Sequence, residues 1–423
     1  MHDQRSNKKK ILNDPVYGFI SIPDELIFDL IEHSWFQRLR RIKQLGLTHL
    51  VYPGALHTRF HHAIGAMHLM QQALEVLISK GHSITNEESL AALIAILLHD
   101  MGHGPYSHTL EKVIIKDLDH EALSLYFMKE LKNEFGSILQ QAADIYTDQY
   151  PKKYLHQLVS SQLDTDRLDF LKRDSFFTGV SEGVINSDRI ITMLDIVNDN
   201  LVVEAKGIYS VEKFLVARRL MYWQVYLHKT VLSAEQMLLQ IIRRAKFLIA
   251  GGNVLPATPS LKYFLHENIS KENFDSYPGV LQLFAKIDDF DIFTAIKEWT
   301  DSADKVLSIL CNSLVNRHLF RTEIRSTPVK KAEIEQKLET IKNYYGLNTD
   351  EAGYFVIADI AQNNAYDPAH QGISILLRDG KLKDISDVSD LLTSDVLSKI
   401  VKKYFISYPK APFINEKHIE FHD

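Results

Sequence analysis

The sequence predicts a mainly α-helical protein: a helical core, short β-hairpins and a small α+β lobe at the C-terminal end. Three observations carry this expectation. Apolar residues recur at three- and four-residue steps from Glu25 to about Phe320, the period of one helix face. Short alternating stretches bounded by turn residues read as hairpins near the start and again around residue 201. After about Thr327 the pattern changes to one charged amphipathic helix and then strand-like runs.

Residues 13–23 alternate around Pro15 and Gly18 and predict a hairpin. Periodicity then predicts helices over Glu25–Gln44, Thr58–Lys80, Thr85–His99, Glu121–Phe135, Ile138–Tyr146, Tyr154–Arg173, Ser187–Val197, Val211–Ala250, Ser260–Glu267 and Phe290–Ser302. A second hairpin is expected to pair Leu201–Glu204 with Ile208–Ser210 across Lys206-Gly207. Beyond Thr327 the expected order is helix Lys330–Tyr345, strand Tyr354–Ile360, strand Ile373–Arg378, helix Leu391–Lys403 and strand Tyr404–Tyr408. Asp379-Gly380 supplies a tight turn after the second of those strands. At 423 residues the chain exceeds a usual single domain. A larger domain over 1–326 and a lobe over 327–423 are therefore expected.

Composition narrows the function. With 45% hydrophobic and 24% charged residues, the chain is ordinary for a globular protein. A net charge of −6 excludes a globally basic nucleic-acid coat but leaves room for a local basic pocket. No apolar run is long enough to span a bilayer, and the polar, lysine-containing start does not read as a signal peptide. Cys311 is the only cysteine, so no intramolecular disulfide is possible. A buried structural thiol in a reducing cytoplasm is expected.

Chemistry concentrates in one window. Ten of the 19 histidines lie between His49 and His120, centred on His99-Asp100-Met101-Gly102-His103-Gly104-Pro105-Tyr106-Ser107-His108. The preceding run, Ala91 to Leu98, is too uniformly apolar for a surface helix, so it delivers His99 and Asp100 to the interior. Unpaired polar groups are costly there. Gly102, Gly104 and Pro105 break the helix, so His103 and His108 sit on a bend. Imidazole and carboxylate together suit a catalytic iron, manganese, zinc or magnesium ion. A further carboxylate must come from elsewhere, and Gln162 to Asp174 is the best source: Asp166, Asp169 and Arg173 fall near one helix face. Taken alone, such a run is an ordinary salt-bridged surface. Beside an incomplete metal site it reads as functional. Arg59 and Arg167 offer forked donors to an anionic, phosphate-bearing substrate. Hydrolysis of a phosphate ester also needs an acid, for which His103, His108 and His120 are available.

The ordered blocks Asn13-Asp14-Pro15, Gln37-Arg38-Leu39-Arg40, Ile42 to Gly46, Tyr52 to Ala55, Arg59-Phe60-His61-His62, His99 to His108, His120-Glu121, Asp166 to Asp174 and Tyr226 to Lys229 cover about half the chain. Together they resemble the HD-domain metal-dependent phosphohydrolases, and among them the deoxynucleoside triphosphate triphosphohydrolases. That family includes a mammalian enzyme with a sterile alpha motif; the similarity here starts near residue 10, and no such motif is expected. The resemblance implies an HD helical core in which His62, His99, Asp100 and Asp166 bind the metal. It implies His108 as general acid, His103 in support of the phosphate chemistry, and His120 with Glu121 positioning the catalytic histidine. Arg59, Arg167 and Arg218 would hold the triphosphate, with a second magnesium or manganese ion. Gln44 and Leu45 would meet the sugar, Asp174 its 3′-hydroxyl, and Tyr226 would stack nearby. Phe170 departs from a tyrosine of the mammalian enzyme and Leu227 from a glutamine beside the base. The implied reaction releases deoxynucleoside and intact triphosphate, with dGTP favoured. Lys10, Ile11, Asn13, Glu32, Gln37 and Arg40 match an effector site for a dNTP or GTP, which implies a regulated dimer or tetramer. Ordinary packing of the N-terminal segment accounts for the same residues. Two other functions compete: an HD phosphodiesterase or nucleotidase acting on other nucleotides, and a non-catalytic nucleotide or single-strand nucleic-acid binder. The three arginines argue against the first, the acidic balance and complete ligand set against the second.

Overall fold

Two helices that are buried on nearly every side form the centre of the fold. The computed structural model describes residues 10–277, 279–363, 372–390 and 401–412. Among these the protein is mainly α-helical, with three small sheets. Strands β1 (Ile11–Asp14) and β2 (Gly18–Ser21) form the expected N-terminal hairpin. Helix α1 (Glu25–Glu32) follows, then the single turn α2 (Ser34–Gln37) and a 3-10 turn, Arg38–Arg41. The expected single helix Glu25–Gln44 is thus broken. His33 leaves helical geometry (φ −61°, ψ 138°), and its side chain accepts from the Trp35 N–H.

Helix α3 (Arg59–Ser79) and helix α4 (Asn86–Leu98) are the central pair. Ala91 to Leu98 are all buried, as an all-round apolar helix requires. A reciprocal cap starts α4: Thr85 Oγ1 accepts from Glu88 N and Glu88 Oε2 from Thr85 N. The next helices are α5 (Glu111–Ile114), α6 (His120–Phe135), α7 (Ile138–Tyr146), α8 (Lys153–Val159) and α9 (Thr165–Thr178). The expected helix Tyr154–Arg173 is in fact two. Asp164 accepts from Arg167 N at 2.7 Å and caps a new helix there, which then packs along α3.

Helix α10 (Ser187–Thr192) is shorter than expected, because Leu194–Val197 is strand β3. It pairs with β4 (Asn200–Glu204) across Asn198 and Asp199, both with positive φ. That is the two-residue turn suited to twisted strands. Ile208–Ser210, expected as a strand, begins helix α11 (Ile208–Met221). The expected helix through Ala250 is interrupted by a π-turn, Tyr222–Tyr226, before α12 (Lys229–Ala250), which His228 caps. Helices α13 (Pro259–His266), α14 (Lys271–Ser276), α15 (Gly279–Phe284), α16 (Asp289–Glu298) and α17 (Lys305–Val315) complete the larger part.

Strand β5 (Arg321–Arg325) leads to α18 (Lys331–Tyr345), α19 (Thr349–Gly353) and β6 (Ile357–Asn363), which starts three residues later than expected. Strands β7 (Ser374–Leu376) and β8 (Leu382–Asp384) flank the expected Asp379-Gly380 turn. Strand β9 (Val401–Tyr408) absorbs residues 401–403 of the expected helix, whose residues 391–400 lie outside the described ones. The sheets run β3-β4-β7-β8 and β5-β9-β6. The C-terminal segment is therefore hydrogen-bonded to the larger part through the β4–β7 pair. No helix among the described residues is long and apolar enough to cross a membrane.

Candidate active site

Three elements far apart in sequence meet at one point. His62 stands one turn into α3, His99 and Asp100 at the end of α4, and Asp166 in the first turn of α9. His62 Nε2 and His99 Nε2 are 3.4 Å apart, and Asp166 Oδ1 lies 3.1 and 3.6 Å from them. All three ligand atoms fall within 4.8 Å of one another.

The outer nitrogens explain the inward orientation. His62 Nδ1 meets Asp169 Oδ2 at 2.8 Å, and His99 Nδ1 meets the Ile96 carbonyl at 2.6 Å. Those oxygens only accept, so Nδ1 carries the proton and each Nε2 turns a lone pair inward. Converging lone pairs beside a carboxylate demand a cation. Burial opposes charge on His62, yet the bonds from Asp166 and Asp169 outweigh it and raise its pKa to about 10. The donor set fits a divalent metal of the zinc, manganese or iron kind, with each imidazole held from behind as such sites require.

Asp100 is shared. Its Oδ1 lies 3.3 Å from both His99 Nε2 and His103 Nε2, while Oδ2 takes Arg59 Nη1 at 2.5 Å and stays 3.7 Å from His62 Nε2. Arg59 also donates to Ser107 Oγ. It is therefore bound to the site's own carboxylate rather than held out toward solvent.

A second group lies beside the first. His103 and His120 stack at 3.9 Å between centroids, with His108 edge-on to both. Burial and the Arg59 charge hold His103 well below the usual imidazole range, so it is neutral. His108 is 68% exposed and faces outward. Glu111, which the sequence reading missed, ties the group together: Oε1 meets His120 Nδ1 at 2.7 Å and Oε2 lies 3.6 Å from His108 Nδ1. Burial opposes its charge, but these histidines hold its carboxyl well below the ordinary value. Glu121, expected beside the catalytic histidine, is exposed in the first turn of α6. The spacing of His108 and Glu111 was the available signal.

Around these groups, Arg167 donates to the Ser161 carbonyl at 2.6 Å and Arg218 Nη1 to Gln162 Oε1 at 3.0 Å. Burial and the Arg167 charge lower the Arg218 pKa, and Arg218 Nε is buried without a hydrogen-bond partner. Two guanidiniums forced together favour an anion. Asp174 accepts from Tyr226 at 2.7 Å and contacts His57 Nε2 at 2.7 Å, so each of its oxygens already has a partner within the protein. Phe170 packs edge-on to Tyr226. Gln44 Oε1 is buried and unpartnered next to Leu45.

The six expected effector residues fall into two sets. Lys10, Ile11 and Asn13 lie on or beside β1, with Lys10 Nζ over the Phe28 ring. Arg40 lies over Phe60 and bonds Gln37 at 2.8 Å, with the Glu32 charge acting on it.

Comparison with known proteins fits this geometry. The HD domain model matches residues 59–174 and the HD associated region residues 185–251. A crystal structure of a phosphohydrolase from Bacteroides thetaiotaomicron is 49% identical with a TM-score of 0.92, over 95% of this chain and 100% of that one. The uncharacterized Bacillus subtilis protein YwfO is 32% identical over 96% of this chain and 93% of its own length. The Dictyostelium discoideum deoxynucleoside triphosphate triphosphohydrolase SAMHD1 homolog is 32% identical over 56% of this chain and 49% of its own. The chain belongs to the HD-domain family of phosphohydrolases.

Proposed function

We propose that this site hydrolyses deoxynucleoside triphosphates, dGTP favoured, to deoxynucleoside and inorganic triphosphate. The observation that carries the reading is the junction of two groups. His62, His99 and Asp166 turn lone pairs on one point, and the His103–His120–His108 group stands beside it across Asp100. His62, His99, Asp166 and Asp100 would hold a divalent manganese, iron, magnesium or zinc ion. When bound, such an ion supplies Lewis acidity and charge neutralisation at the phosphoryl group.

The chain's own residues do the rest. Arg167 and Arg218 bind triphosphate oxygens, and Arg59 reaches them from its Asp100 pair; a second magnesium or manganese ion accompanies the triphosphate. Water attacks the α-phosphorus, the bond to the 5′-oxygen breaks, and His108 gives that oxygen its proton. His108 suits the role because it is the exposed member of its group. Glu111 orients His120 and, with it, the stack. Gln44 and Leu45 meet the sugar, and Asp174 accepts from the 3′-hydroxyl through lone pairs left by His57 and Tyr226. Lys10, Ile11, Asn13, Glu32, Gln37 and Arg40 take a nucleotide effector in a homo-oligomer. The name of the Dictyostelium relative supports the substrate class.

The test is product analysis with each of the four dNTPs and Mn2+. Deoxynucleoside and triphosphate in equal amounts are expected. Pyrophosphate, orthophosphate or a nucleoside monophosphate as product would overturn the reading, and no turnover of any dNTP would point to a different nucleotide.

A further inference from the structure

One buried chain of charges runs from the N-terminal hairpin to His62. Asp14, the last residue of β1, places Oδ2 2.7 Å from Arg173 Nη1. Arg173 donates from Nε and Nη2 to the two oxygens of Asp169, at 2.9 and 3.0 Å. Asp169 Oδ2 also takes His62 Nδ1 at 2.8 Å. None of the four residues is more than 7% exposed. Backbone geometry makes room for the chain: a Cβ on Gly65 of α3 would lie 2.9 Å from Asp169 Cγ, and nearer still to Arg173 Nη2 and Asp169 Oδ1.

We propose that Asp14 is a positioning residue for the metal site, acting through Arg173 and Asp169 on His62. This rests on the reading of His62 as a ligand. Arg173 spends its fork on Asp169 and its remaining arm on Asp14, so Asp14 determines where the fork sits. The fork fixes the Asp169 oxygen that sets the His62 ring. The hairpin is thereby tied to the metal site through Arg173 and Asp169.

The test uses the full chain stripped of metal and titrated with Mn2+ alone, free ion being read by electron paramagnetic resonance. Asp169→Asn is expected to weaken binding by about 10–100-fold, the usual effect of removing a group behind a ligating imidazole. Asp14→Asn is expected near the lower end, about tenfold. Asp14→Glu recovers part of the loss, while Phe19→Ser, on the exposed hairpin surface, binds as wild type. Folded Asp14→Asn protein with wild-type affinity overturns the proposal alone; a wild-type chain that binds no Mn2+ overturns the metal site itself. Should Asp14→Asn not fold, Arg173→Lys tests the link through which Asp14 must act, since lysine keeps the charge and loses the fork. Wild-type affinity in that variant overturns the proposal equally.

Discussion

Gly102→Ala tests whether the two histidine groups act as one site. Gly102 lies between the His-Asp pair and the bend carrying His103, pressed against the start of α6. A Cβ there would lie 2.5 Å from Ser124 N, 2.7 Å from Leu123 Cβ and closer still to the His120 carbonyl. All belong to α6, two are backbone atoms, and no side-chain rotation relieves them. Ordinary contact distance is recovered only if α6 retreats by about 1.5 Å. Overpacking of this kind costs about 1–3 kcal/mol. The retreat carries His120 away from His103 and opens their stack. A displacement of about 1 Å in a catalytic constellation can lower a rate about 100-fold. His62 and Asp166 lie on other elements, and the His99 ring is oriented from within α4 by Ile96, with Ser124 of α6 reaching only the His99 carbonyl and Asp100 standing at the margin of the site. Mn2+ affinity should therefore fall by less than about tenfold. The assay pairs kcat for dGTP hydrolysis with Mn2+ titration of the same preparation. Unchanged kcat in the folded variant would show that the His103–His120 stack does not contribute to turnover, and a collapse of Mn2+ binding would show that the two groups are not separable.

Three more predictions follow from the same geometry. His99→Ala and Asp166→Ala should lose Mn2+ binding and turnover together, whereas His108→Ala should keep the first and lose the second; full turnover in His108→Ala removes it as the acid. Glu111 has a depressed folded pKa, so its stabilisation is complete above its ordinary value of 4.5 and fades as pH falls below it. Glu111→Gln should thus melt lower than wild type at neutral pH and converge with it in acid; parallel melting curves at all pH values would show the pairing with His108 and His120 to be inert. Half-buried Glu235 is the opposite case: burial pushes it up to about 7 against a hydrogen bond from Thr109. Its charge penalises the fold as pH rises through that value. Glu235→Gln should flatten the fall in melting temperature between about pH 5 and pH 8, and an unchanged slope would assign that fall elsewhere.

The fold was legible where one element carries one uninterrupted pattern. The apolar run to Leu98 and the turn residues of the β1–β2 hairpin are of this kind. Breaks were hidden where apolar spacing continues through them. Leu158, Val159 and Leu163 keep the core side apolar across the interruption before α9, and only the Asp164 cap marks it. The second hairpin was misplaced because Gly207 drew the turn to itself. Asn198-Asp199, two residues that tolerate positive φ, held the real signal. Histidines cluster densely around His99-Asp100, so that pair stood out, whereas His62 and Asp166 were named as ligands through the family resemblance. The support behind His62 is of common types whose partners lie far along the chain: Asp169 is 107 residues from His62, and Arg173 is 159 from Asp14. Only the folded chain reveals them.

Charge explains why so many carboxylates can be buried together. Around His62 stand Asp100, Asp166, Asp169 and Asp14, against the guanidiniums of Arg59 and Arg173. With both imidazoles neutral, two negative charges are left over in a region where uncompensated charge is expensive. Two protons, one on each imidazole, would balance them; this is the direction in which His62 and His99 are both driven. One divalent ion balances them equally and uses the lone pairs that Asp169 and Ile96 hold inward. The ion and the protons compete for the same nitrogens, so metal affinity must rise with pH across the range where the imidazoles lose their protons.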